Sequence, residues 1–192
     1  MTDRNIGSLQ FDGQGWVKDI NTSPSPNFDE RPNQQDISLL VIHNISLPPG
    51  IFEQQPVLDF FANQLNTGDH PFYQEIADLQ VSAHFLINRV GLITQLVSTD
   101  MRAWHAGQSC FENRERCNDF SIGIELLGSD DKPFTDFQYL SLIKLTKAIM
   151  QRYPGITTDR ITGHSDIAPQ RKTDPGPYFS WKLYKSMLKF TA

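Results

Sequence analysis

The chain is poor in cysteine, in positive charge and in long apolar runs, and each shortage removes a class of protein. Its two cysteines, Cys110 and Cys117, belong to no CxxC pattern, so a cysteine zinc site is not expected. They read as free thiols of a reducing compartment, although the sequence leaves open whether they pair with each other. A net charge of −5 gives no electrostatic footing for nucleic acid or for an anionic membrane. No stretch approaches the roughly 20 apolar residues of a membrane span. The first residues hold no run suited to the centre of a signal peptide, so no secretory leader is expected. There is no HExxH, which removes one common zinc-peptidase arrangement. Internal repeats, low-complexity tracts and interdomain linkers are also missing.

What remains is a globular composition, 39% hydrophobic and 20% charged over 192 residues, enough for one domain spanning 1–192. Residues 1–37 read as a largely irregular approach segment packed on that domain, with a Pro, Ser, Asn and Asp-rich stretch at 23–33. Leu39–Ile42 is a short apolar run, expected as a central buried strand leading into His43. Pro56–Leu65 has the spacing of a short helix. Val81–Arg89 and Leu92–Val97 read as two strands joined at Val90-Gly91. A long loop follows over 99–119, and then a further apolar run, Phe120–Leu127. Asp136–Tyr153 is an amphipathic helix with Thr135 as its N-cap and Pro154-Gly155 as its stop. A last helix over about 180–189 should pack through Trp181, Tyr184, Met187 and Leu188. Interleaved helices and strands predict an α/β class with a mixed sheet covered by helices.

The chemistry is concentrated in two distant segments, LLVIHN at 39–44 and GHSDIAPQRKTDPGP at 163–177. They offer His43, His164 and Asp174. Two imidazoles and a carboxylate suit Zn2+, and three protein ligands leave a fourth position for water. His43 stands where an apolar strand gives way to a polar loop, the end of a strand at which ligands bind in open α/β sheets. The prolines of the second segment stiffen its backbone. Asp174 precedes Pro175, which biases it toward extended backbone, and Lys172, two residues away, should project with it. Glu125 interrupts the apolar alternation of SIGIELL. An acid there is costly unless it is paired or solvated. Either its face of the strand meets solvent, or Glu125 is a general base with a raised pKa. Gly123 on the same face should leave room for a ligand. Of the other histidines, His84 reads as structural, His70 as a loop-packing residue, and His105 either lines the groove or packs.

VIHNISLPPG, VSAHFLI, RAWHAG, ERCNDFSIGIEL and TGHSDIAPQRKTDPGP together resemble the cytoplasmic anhydro-N-acetylmuramoyl-L-alanine amidases of the AmpD type. These lie within a zinc amidase group that includes phage lysozyme-like amidases and peptidoglycan recognition proteins. The resemblance runs from about Trp16 to Trp181. It implies a mixed sheet flanked by helices with zinc at the base of a groove, held by His43, His164 and Asp174. It makes Glu125 the catalytic acid/base and Lys172 the oxyanion stabiliser. Asn44, Trp104 and Arg116 match positions that line the substrate cleft. The implied substrate is an anhydromuropeptide, cut between the muramic acid and L-alanine. A cytoplasmic location is implied, and no protein partner. Trp104 is expected to stack on a sugar, and Arg114 and Arg116 to meet peptide carboxylates or to pair with Glu112 and Glu115. One position departs: the family often has arginine just before VSAH, and here stands Gln80. A non-catalytic peptidoglycan-binding module of the same fold is the alternative. Such a module is expected to have lost a ligand or the base, and this chain keeps them all.

Overall fold

The apolar runs at 39–45 and 121–127 lie side by side at the middle of a six-stranded sheet. The computed structural model describes residues 8–189. Along the chain come β1 (Asn21–Thr22), β2 (Phe28–Asp29), β3 (Leu39–Ile45), α1 (Gln54–Phe61) and α2 (Pro71–Glu75). Then follow β4 (Phe85–Ile87), β5 (Ile93–Gln95), β6 (Arg102–Ala103), β7 (Cys110–Phe111), β8 (Arg114–Glu115) and β9 (Ser121–Leu127). The chain ends through α3 (Asp136–Arg152), β10 (Ile161–Gly163), α4 (His164–Ile167) and α5 (Trp181–Lys189). The main sheet runs β1-β5-β4-β9-β3-β10. β4, β9, β3 and β10 are mutually parallel, while β5 pairs antiparallel with β4, so the sheet is mixed.

Strands β3 and β9 lie in the sheet interior and are covered on both faces, which is why each reads as a nearly unbroken apolar run. Leu40 and Ile42 of β3 and Ile122, Ile124 and Leu126 of β9 meet Leu142, Leu145 and Ile149 of α3 and Tyr184 of α5. On the opposite face Leu39 and Val41 pack with Ala106, Phe120 and Ile167. Further along that face Leu86 and Leu127 pack with Val57 and Phe61 of α1 and with Tyr73. His43 and Glu125 stand between these two apolar clusters, directly opposite each other in the β3–β9 register.

α3 begins at a capping box: Gln138 N–H donates to Thr135 Oγ1, and Thr135 N–H to Gln138 Oε1. α5 buries Tyr184 fully and lays Trp181, Met187 and Leu188 partly against the core. Three expectations shift. The helix of Pro56–Leu65 runs instead over Gln54–Phe61, because Asn63 adopts a left-handed φ of 58° that ends it. The strand of Val81–Arg89 shrinks to Phe85–Ile87. Before it the chain is held by irregular contacts: Asn27 donates to Val81 O, and Ser82 N–H to Trp104 O. The approach segment, described from residue 8, is less irregular than its composition suggests, since it supplies β1 to the sheet edge and β2 to a ribbon with β6. Arg31 in this segment is buried and donates to the carbonyls of Thr99, Asn118, Asp119 and Ser121. Cys110 is exposed and Cys117 buried, and both are free thiols. No described helix is long and apolar enough to cross a membrane.

Candidate active site

Three parallel strands deliver the site residues at their carboxyl ends. β3 presents His43, β9 presents Glu125, and β10 runs straight into His164 at the first turn of α4. That turn is fixed by Asp166, whose Oδ2 accepts from Gly163 N–H at 2.9 Å and from Thr162 Oγ1 at 2.8 Å. Gly163 has no side chain for a reason visible in the packing: a Cβ there would stand 2.8 Å from Pro175 Cδ. The bare backbone lets the Pro175 loop close onto α4, and Ser165 N–H donates to Asp174 O at 2.9 Å. Asp174 is thereby brought to His164 across ten residues of chain.

His43 Nδ1, His164 Nδ1 and Asp174 Oδ2 form a triangle with sides of 3.0, 3.0 and 3.1 Å. His164 Nε2 lies 3.1 Å from Ala106 O, an acceptor only, so Nε2 carries a proton. In the neutral ring Nδ1 is then a lone pair facing a carboxylate oxygen. Two acceptors at that distance need a cation between them. The edges are close to the roughly 3.3 Å that tetrahedral ligands at zinc distances would subtend. The residues present therefore fit a zinc ion by donor chemistry, spacing and the hydrogen-bonded far side of His164.

Burial lowers the His43 pKa against the opposing pull of Asp174. Burial pushes the Asp174 carboxyl up, but the adjoining His164 and His43 imidazoles outweigh this and hold it below the usual carboxylate range. Glu125 goes the other way. It is 8% exposed, and burial, reinforced by Asp174 and opposed by Lys172, raises its pKa well above the ordinary value. Its Oε2 is buried without a hydrogen-bond partner. An unpartnered carboxyl oxygen beside a ligand triangle is a group held ready for a proton from elsewhere.

At the Asp174 corner of the triangle lies a groove of about 660 Å³ whose lining includes Asn44, Asp130, Arg171, Lys172 and Asp174. Asn44 Nδ2 donates to Asp130 Oδ1 at 2.7 Å. Trp104 and Arg116 are on the 99–119 stretch and are linked through Asp29, Arg102 and Asp119. Trp104 Nε1 donates to Asp29, Arg102 bridges Asp29 and Asp119, and Arg116 pairs with Asp119 at 3.2 Å. Arg116 borders a second depression, of about 450 Å³, with Arg171. Arg114 pairs with Asp36, not with Glu112 or Glu115, and lies over the Phe120 ring at 3.7 Å. Gln80 is exposed on the border of a third depression with Phe60 and Asn63. His84 is buried and its Nδ1 accepts from Gly123 N–H. His70 accepts from Phe72 N–H at the start of α2. The space over Gly123 is not left for a ligand. The His105 ring fills it, and a Cβ at Gly123 would lie 2.5 Å from His105 Cγ. Asp29, Arg102 and Asp119 were not singled out in the sequence, where only their being charged residues in an acidic chain was visible.

Hydrolases that cut amide bonds with two histidines and a carboxylate form a class, and the sheet and donor set of this chain are of that kind. The chain belongs to the N-acetylmuramoyl-L-alanine amidase family, whose model matches residues 33–177. It is 57% identical over 176 residues to 1,6-anhydro-N-acetylmuramyl-L-alanine amidase AmpD of Haemophilus influenzae, covering 92% of this chain and 96% of that protein. A crystal structure of a selenomethionine AmpD derivative superposes with a TM-score of 0.89 at 49% identity, covering 93% of this chain and 99% of that one. AmiD of Escherichia coli, solved with the substrate anhydro-N-acetylmuramic acid-L-Ala-D-γ-Glu-L-Lys, is similar at 34% identity and a TM-score of 0.61. That match covers 79% of this chain and 57% of that one.

Proposed function

We propose that this amidase hydrolyses the bond between (1,6-anhydro-)N-acetylmuramic acid and L-alanine in peptidoglycan fragments, as a cytoplasmic enzyme of cell-wall recycling with one zinc per chain. The observation that carries this reading is the acceptor triangle of His43, His164 and Asp174 beside the unpartnered carboxyl of Glu125. A zinc ion held by those three residues would supply Lewis acidity toward the amide carbonyl and a water of lowered pKa.

The chain's own residues do the rest. Glu125 is held by a fully buried strand opposite His43, so its carboxyl reaches the reacting atoms without reorganising. It accepts the proton of the attacking water and returns it to the leaving L-alanine amine, a role its raised pKa suits. Lys172 lines the groove beside Asp174 and places a positive charge where the carbonyl oxygen becomes negative. Asn44, Trp104 and Arg116 bind and orient the muropeptide, and no nucleic acid, membrane or protein partner is needed. All residues of the centre are in place, which favours catalysis over a binding module of the same fold. The test is mass spectrometry of products from defined anhydro and reducing muropeptides, with and without a chelator. Release of intact stem peptide, abolished by the chelator and restored by zinc, is expected. Cleavage at another bond, or full cleavage after metal removal, overturns the reading.

A further inference from the structure

Behind the ligand triangle, away from the groove, lies a second histidine that the reaction does not use. His105 is buried between β3 and β9, with its ring edge-on to His43 at a centroid distance of 5.1 Å. Its backbone is pinned from one side chain: Asn118 Oδ1 accepts from the N–H groups of His105 and Ala106 at 3.2 and 2.8 Å. The bare Cα of Gly123 makes the slot into which the ring fits. Two contacts exhaust the ring nitrogens. His43 Nε2 lies 3.0 Å from His105 Nδ1, and His105 Nε2 lies 3.1 Å from Ser121 Oγ.

Direction follows from the donor inventory. A neutral histidine that offers Nδ1 to a cation carries its proton on Nε2. His43 must then donate to His105 Nδ1. His105, having spent Nδ1 as an acceptor, keeps its own proton on Nε2 and donates to Ser121 Oγ. The opposite wiring, with His105 Nδ1–H donating to His43, would put the His43 proton on Nδ1, inside the triangle, where a metal could not displace it without a transfer. A partner on the far nitrogen of a ligating histidine usually fixes both tautomer and ring orientation. His164 has such a partner in the Ala106 carbonyl, and Ala106 is the next residue in the chain. One short segment, 105–106, therefore faces both ligating imidazoles from behind.

We propose that His105 is the positioning residue for His43: it accepts the Nε2 proton, holds the Nδ1 lone pair at the triangle, and is itself oriented by Ser121. This rests on the zinc reading of His43, His164 and Asp174. Asparagine in place of His105 sets an amide oxygen close to the Nδ1 position and keeps the acceptor, whereas phenylalanine keeps a ring and removes it.

The experiment measures zinc affinity of the full chain by competition with a chromogenic chelator, together with the 15N shifts of the His43 ring nitrogens. His105→Phe should weaken zinc binding by about 10- to 100-fold, the usual effect of losing such a partner. His105→Asn should stay within a few-fold of the parent. In the zinc-loaded parent His43 should be protonated at Nε2. Parental affinity in His105→Phe, or equal weakening in the Phe and Asn variants, overturns the proposal and leaves packing as the role of the ring. If the Phe variant does not fold, the 15N shifts of the His105 ring in the zinc-loaded parent give the reading: Nδ1 should be unprotonated and Nε2 protonated, and a proton on His105 Nδ1 overturns the wiring. A parent that binds no zinc refutes the metal site and the proposal with it, whereas a zinc-binding parent with an indifferent His105→Phe variant refutes only the role of His105.

Discussion

His43 and Glu125 stand on strands whose neighbours bond them on both sides, whereas Trp104 and Arg116 stand on the stretch between β6 and β9, where Trp104 Nε1 donates to Asp29 and Arg116 pairs with Asp119. Glu125 is 8% exposed, and the Arg116 side chain is 72% exposed. Backbone pairing in a buried sheet places a side chain whatever the salt or pH around the molecule. The Asp29–Arg102–Asp119 chain that joins Trp104 to Arg116 is partly solvated, and exposed ion pairs are worth only about 0–1 kcal/mol each. On the proposed roles, two groups of the reaction, His43 and Glu125, stand on rigid, dry strands, and two groups of recognition, Trp104 and Arg116, on more adjustable and wetter ground. Changes at the centre should behave as all-or-none, and changes at the rim should be graded.

The hardest test of that contrast is loss of a ligand. His43→Ala or Asp174→Ala should abolish zinc retention and turnover together, because two remaining donors do not make a closed set. Elemental analysis of protein purified without added metal, alongside turnover on an anhydromuropeptide, reads both. A His43→Ala protein that keeps full turnover would place the chemistry elsewhere.

Next in size is Glu125→Gln. The amide is nearly isosteric, and the strand around it is unchanged, so fold and zinc content should be kept. Turnover should fall by roughly 10²–10⁴-fold or more, the range of general acid/base contributions. A zinc-loaded Glu125→Gln protein with near-parental turnover would show that the buried carboxyl serves the strand and not the reaction.

The same contrast explains what could be read from the residues alone. β3 and β9 were visible because a strand covered on both faces must be apolar along its length, and α3 because its period, cap and Pro154-Gly155 stop agree. The three ligand residues could be grouped by chemical type, and the structure brings their donor atoms within about 3 Å. What stayed hidden depends on contacts between remote segments. The four residues of α4 are too few to show a period, and its clamp by Asp166 needs β10 beside it. Arg31 meets carbonyls and the His84 ring and no acid, which leaves no pattern of opposite charge to find. His105 over Gly123 depends on two stretches meeting face to face, so either a groove position or a packing one was consistent with its neighbours in sequence.

The smallest expected effect belongs to Gln80, at the rim. Ser82, two residues on, is bonded to Trp104 through both its backbone N–H and its hydroxyl, so Gln80 lies on an exposed stretch beside the Trp104 backbone. The resemblance drawn from the sequence implies an arginine at this position in many of the family. A hydrogen bond from a charged donor contributes roughly 1.5–3 kcal/mol against about 0.5–1.5 for a neutral one. Gln80→Arg should therefore lower KM by up to about tenfold for substrates with a free carboxylate at the far end of the peptide. Asp78 borders the same depression, and pairing with it would absorb part of that gain, which makes tenfold an upper bound. The contact is remote from the bond being cut and is felt equally in the ground and transition states, so kcat should hardly move. Parent and variant are compared on the free-acid and amidated forms of one anhydromuropeptide. A change confined to the free acid makes Gln80 part of a graded rim. Equal responses to both forms, or a change in kcat of similar size, would mean that this stretch is coupled to the centre and that the division between rigid chemistry and adjustable recognition does not hold there.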